Sequence, residues 1–87
     1  MISAPTTVPE WEAYVEDLSR EALWSKCRAA NSFQFTKALI TEGMTMAELE
    51  RVMLLFVRRM IEMEIKLPEG GAFPLHHLAK RDPLASF

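Results

Sequence analysis

Apolar residues recur along this chain with a helical period in most places and with a sheet period almost nowhere. Trp11, Val15, Leu18 and Ala22 stand at i, i+4, i+7 and i+11, with Tyr14 beside them. That spacing draws one apolar stripe along a 3.6-residue helix. Thr7 precedes it as an N-cap, Pro9 falls in the first turn and Glu10 takes the capping-box position, so a helix starts there. Leu23, Trp24 and Cys27 then fall on the opposite side of the stripe, which predicts either a helix buried on two sides or, as the favoured reading, a kink or break near Ser19. Ser19, with Glu21 behind it, caps a second helix running to about Ala30.

Asn31-Ser32 is the next punctuation. Ser32 caps a short helix, Phe33–Thr41, that Gly43 stops. A strand is the rival reading, because Phe33, Phe35 and Leu39 fall on alternating positions. The spacing from Phe35 through Ala38 and Leu39 to Gly43 favours helix, and no second strand is available for pairing. Thr45-Met46-Ala47-Glu48 is a capping box, T-x-x-E, and opens a helix that lacks internal Gly or Pro and runs to about Ile65. Leu67-Pro68-Glu69-Gly70-Gly71 ends it. Pro74 opens a short helix through about Lys80, with Leu75 and Leu78 at i and i+3. Asp82-Pro83 starts a final turn before Leu84 and Phe87. These signals divide the chain into an N-terminal arm (residues 1–6), a helical domain (7–67) and a loop and short-helix tail (68–87). The expected fold is all-α: a small bundle of three to five helices, with one long central or interface helix and a Pro/Gly-punctuated C-terminal tail.

The long helix carries the strongest signal. On a wheel of 100° per residue, Glu48, Arg51, Arg58, Arg59 and Glu62 cluster within roughly 100°. Leu49, Val52, Met53, Leu54, Phe56, Val57, Met60, Ile61, Met63 and Ile65 cover roughly 220°, far more than the stripe of an ordinary surface helix. Glu50 and Glu64 interrupt that arc only near the two ends of the helix, and Leu55 lies inside the polar arc. An apolar arc so wide needs cover on most sides, and short neighbouring helices supply it on one flank or two. What stays bare is an interaction site or an aggregation liability. The competing reading wraps this helix completely as the centre of a monomer. Met44, Met46, Met53, Met60 and Met63 suit an adaptable surface or an irregular core equally. The tail from Phe73 to Phe87 either folds back as a lid over the long helix or projects as a docking motif.

Composition narrows the function. Eighty-seven residues, 49% of them hydrophobic and 25% charged, make one folded domain too small for a Rossmann fold or a barrel. A net charge of −2 argues against a generic phosphate-backbone binder. Residues 10–21 form an acidic front, with Glu10, Glu12, Glu16, Asp17 and Glu21 against Arg20 alone. Cys27 is the single cysteine, so no internal disulfide forms. No basic segment followed by an apolar run stands at the start, and the longest unbroken apolar run, Val52–Val57, is far short of a bilayer span. The expectation is a cytoplasmic protein without a membrane segment.

Chemical constellations are weak. Lys37–Glu50 has the outline of a helix-turn-helix, but Leu39 and Glu42 occupy positions where a small and an apolar residue belong. The second helix offers DNA Glu48 and Glu50 at its start, and no Arg. His76 and His77 are adjacent and point about 100° apart on a helix, so they do not chelate together. Cys27 with either histidine carries no nucleophile signature. Gly70-Gly71 lacks the spacing and Lys of a phosphate loop. Glu10, Glu12 and Glu16 have no apolar wall to raise their pKa values.

The sequence therefore reads as a non-enzymatic protein–protein interaction module without cofactor or metal. It is a small adaptor or inhibitor, of the bacterial or phage accessory type, that self-associates or covers a site on a larger protein. The expected contact residues are Leu54, Leu55, Val57, Arg58, Ile61 and Met63 on the long helix, with Trp24 as a second patch. The alternative is a dimeric DNA-binding regulator built on the hairpin around Gly43.

Overall fold

The computed structural model describes residues 5–81, and within them the chain forms five α-helices and no strand. They are α1 (Val8–Glu16), α2 (Arg20–Ala30), α3 (Phe33–Thr41), α4 (Met46–Glu62) and α5 (Leu75–Arg81). The first four start where a hydroxyl accepts from a backbone N–H three residues on. Thr7 accepts from Glu10, Ser19 from Ala22, Ser32 from Phe35 and Thr45 from Glu48. Each cap satisfies one of the N–H groups that a helix start leaves without an intrahelical partner. At Thr45 the box is complete, since the Glu48 carboxylate also accepts from the Thr45 N–H at 3.1 Å. The break near Ser19 is real: α1 ends at Glu16 and Ser19 caps α2.

The long helix stops at Glu62, short of the expected Ile65. Its end is a Schellman turn, in which the Ile65 N–H donates to Met60 O at 2.8 Å and the Glu64 N–H to Ile61 O at 3.1 Å. That turn needs a left-handed residue, and Glu64 takes the role with φ of 57°. No glycine marks the position, so the sequence gives no sign of the stop. Arg20, at the start of α2, donates to the Met63 and Glu64 carbonyls and places a cation at the negative end of α4. The turn after α3 is built the same way, with Gly43 at φ 105° and Met44 N–H bonded to Leu39 O.

α4 is the axis of the bundle and packs against each of the other four helices. Leu49, Val52, Met53, Phe56, Val57 and Met60 are buried on it. Around them close Trp11 and Val15 of α1, Leu23 and Cys27 of α2, and Leu75 and Leu78 of α5. The expectation that short neighbours leave much of the apolar arc bare is thus corrected. Leu54, Leu55, Ile61, Met63 and Ile65 are half-buried, packed against the edge of the core. The described part of the tail acts as the lid, because Phe73, Leu75 and Leu78 are buried and α5 lies on α4. Leu84 and Phe87 lie outside the described residues.

Asn31 fixes that lid. It is the one buried polar residue of the described chain, 4% exposed at the junction of α2 and α3. Its Nδ2 donates to Gly70 O at 2.9 Å and to Phe73 O at 3.0 Å, and its Oδ1 accepts from the Phe73 N–H at 2.7 Å. The Asn31 carbonyl also accepts from the Ala72 N–H at 3.3 Å. Gly71 crosses this residue so closely that a Cβ would lie 2.7 Å from Asn31 Cγ, and its φ of 91° suits glycine alone.

Candidate functional site

The seven residues expected to contact a partner separate into three groups. Leu54, Leu55 and Arg58 line two adjoining depressions, of about 470 and 410 Å³, between α1 and α4. Glu12 and Glu16 form the α1 wall, and Arg51 and Arg59 stand on the α4 wall. Arg59 pairs with Glu62 at 3.1 Å, one turn on along the same helix. The groove is therefore mixed in charge, with half-buried leucines at its base. Ile61 shares the outward stripe of Leu54 and Arg58, at i+7 and i+4, while Met63 sits at the C-cap of α4. Both are half-buried.

Val57 does not belong to any such surface. It is 0% exposed, enclosed with Phe56 and Met60 in the core. On the wheel it lies about 60° inward from Leu54, far enough to cross from the rim into the packed interior. Trp24 is on α2, 37% exposed, with the Arg28 guanidinium 5.6 Å from its ring centroid. The cation covers part of the ring and leaves the rest to solvent.

The largest exposed apolar groups lie elsewhere. Phe33 is 76% exposed, Met46 55% and Ile40 44%. Phe33 and Ile40 are both on α3, seven residues apart, with Lys37 between them at i+4. On a helix these three fall within about 60° and form one outward stripe. The opposite side of α3 carries Phe35 and Leu39. Leu39 is buried, and Phe35 meets the Trp11 ring edge-to-face at 5.4 Å. Five of the nine residues in FQFTKALIT are apolar, yet Leu39 alone is buried. The sequence held this signal. Once residues 33–41 are helical, Phe33 and Phe35 cannot share a face, and one must turn outward.

Cys27 is 0% exposed, and burial pushes its thiol up to about 12, so no thiolate is present at neutral pH. His76 and His77 are both exposed on α5. Glu10 and Glu48 sit below the usual carboxylate range because Thr7 and Thr45 hydrogen-bond them at the helix starts, which is a capping role. Among the described residues no cluster of His, Cys, Asp or Glu could hold a metal ion, and no helix is long and apolar enough to cross a membrane. The α3–turn–α4 hairpin has the outline of a helix-turn-helix, but its second helix opens on exposed Met46 and Ala47, with Glu48 tied to its own cap. In comparisons with known proteins, no family model, curated protein or solved structure matched the chain.

Proposed function

We propose that this chain is a non-enzymatic protein–protein interaction module, a small adaptor or inhibitor that acts by occupying a surface of another protein. The observation that carries the reading is α3: a helix with more than half its residues apolar that buries only Leu39 and leaves Phe33 76% exposed. A side chain of that size in water is unfavourable by a few kcal/mol relative to full burial. Single exposed apolar residues are common, but a stripe of them on one helix marks a contact surface. The contact is assigned to α3 rather than to the apolar face of α4, because that face is largely enclosed. The groove beside Leu54, Leu55 and Arg58 serves as a second, more polar rim.

The reading as a DNA-binding regulator finds less support. The first turns of α4 offer carboxylates and no exposed Arg before Arg51, the wrong chemistry for phosphates or guanine edges. The deciding experiment follows complex formation by light scattering and by capture from the native host, with wild type and a Phe33→Ser, Ile40→Ser variant side by side. A complex formed by the wild type and lost by a folded variant is the expected result. A wild type that stays monomeric and captures nothing would sink the reading.

A further inference from the structure

We infer that the outward stripe of α3 is the docking site for an acidic amphipathic helix of another protein. The inference rests on the reading of the chain as an interaction module and specifies the chemistry of its partner. Charge is the first argument. Residues 22–41 hold three bases, Lys26, Arg28 and Lys37, and no acid, in a chain whose net charge is −2. All three are exposed. No carboxylate pairs with Lys26 or Lys37 among the described residues. The α2–α3 hairpin is thus a basic region of an acidic protein, and a partner of negative sign is steered to it.

Geometry is the second argument. Phe33 and Ile40 are two helical turns apart, a span of about 10 Å. A partner helix laid along α3 presents its own i, i+3 or i+4, and i+7 side chains over that same distance. Lys37 stands between the two anchors, so the complementary helix carries an Asp or Glu between its apolar residues. The same lysine disfavours a second copy of this chain. A two-fold axis through the centre of the stripe brings the two Lys37 ammonium groups together, and like charges so placed repel. Single-stranded nucleic acid fits less well. Its bases stack on successive open aromatic faces, whereas the stripe offers one such face, Phe33, its second anchor Ile40 is aliphatic, and Arg28 already lies over Trp24.

The test uses the full chain as bait for a random peptide display library. A single-stranded DNA oligonucleotide and the protein itself, in light scattering, are the competing occupants. The selected peptides should carry apolar residues at helical spacing with an excess of Asp and Glu. Their affinity should fall by about tenfold or more in Phe33→Ala and in Ile40→Ala. Lys37→Glu should weaken them too, and exchanging the facing acid of a selected peptide for Lys should restore binding to that variant. These positions are exposed, so each variant should keep the wild-type circular dichroism and melting temperature. Peptides without acidic bias, or indifferent to the α3 variants, overturn the inference while leaving the interaction-module reading in place. Salt-sensitive DNA binding, or self-association abolished by Phe33→Ala, would assign the stripe to another occupant and overturns it as well. A chain that selects no peptide, binds no DNA and stays monomeric removes both readings together.

Discussion

Replacing Asn31 by Ala should cost this protein a large part of its stability. The substitution deletes two donated bonds, to Gly70 O and Phe73 O, and one accepted bond, from the Phe73 N–H. Each buried hydrogen bond contributes about 1 kcal/mol net, and a buried N–H left without a partner costs about 1–3 kcal/mol more. Gly70 and Gly71 are exposed, so water replaces some of what is lost at the loop's outer edge. Phe73 is buried, and its N–H is not reached so easily. The expected loss is about 2–4 kcal/mol, within a total of roughly 5–10 kcal/mol for a domain of this size. Thermal melting should therefore fall by about 10–25 °C, and the urea midpoint should fall with it. Gly71→Ala attacks the same junction from the other side, since its Cβ would collide with Asn31. Asn31→Ala would relieve only the side-chain part of that clash, because the Asn31 carbonyl oxygen lies nearest the added Cβ. A loss under about 1 kcal/mol in Asn31→Ala would refute the idea that this asparagine latches the tail onto the bundle.

Three further outcomes follow from the same coordinates. Glu64→Gly should stabilise the protein by up to about 1 kcal/mol, because φ of 57° is strained for a side chain and free for glycine; thermal melting reads the sign. Val57→Asp buries a charge with no solvent access and should unfold the domain, at a cost above about 3 kcal/mol, whereas Leu54→Asp at the half-buried rim should retain the fold by circular dichroism. The Glu48 carboxyl is held below its ordinary value of 4.5 by the Thr45 N–H and hydroxyl. A depressed folded-state pKa adds stability that is complete above the unfolded value and is lost as pH falls through the folded one. Glu48→Gln should accordingly flatten the acid limb of the stability curve below pH 4.5, and a carboxyl titration by NMR with its midpoint at or above that pH would contradict the assignment.

Local chemistry is what the sequence displays, and the parts of the fold set by local chemistry are legible in it. Thr7, Ser19, Ser32 and Thr45 announce four helix starts, because a hydroxyl and a backbone N–H three residues on are enough to define each. The stop at Glu62 is hidden for the converse reason. The Schellman turn there uses Glu64 in a conformation that no pattern rule expects of glutamate, with Arg20 from another helix at the carbonyls it leaves. Asn31 reads as punctuation between two helices. Its second role spans 42 positions to Phe73, and no window along the chain contains both ends. The wheel of α4 identifies a broad apolar arc but not which part of it the neighbours reach. Val57 and Leu54 look alike in sequence, yet one is enclosed and the other stands at the rim of the α1 groove.

The shift of the proposed contact surface from α4 to α3 has a physical cause in how few elements this chain possesses. A helix apolar around most of its circumference demands neighbours on most sides, and α1, α2 and α5 meet that demand with Trp11, Val15, Leu23, Cys27, Leu75 and Leu78. Once they are committed to α4, no described element lies over the outer side of α3, whose inner side packs on α2 and α4 and meets Trp11 of α1 through Phe35. Were α3 simply a bracket for Leu39, solvated residues would serve at positions 33 and 40, as Gln34 and Lys37 do beside them. Phe33 and Ile40 instead extend apolar surface into water on the acid-free stretch of the chain, with a lysine between them. Anchors two turns apart around a central charge suit the proposed recognition of an amphipathic helix, and neither packing within the bundle nor solubility calls for them.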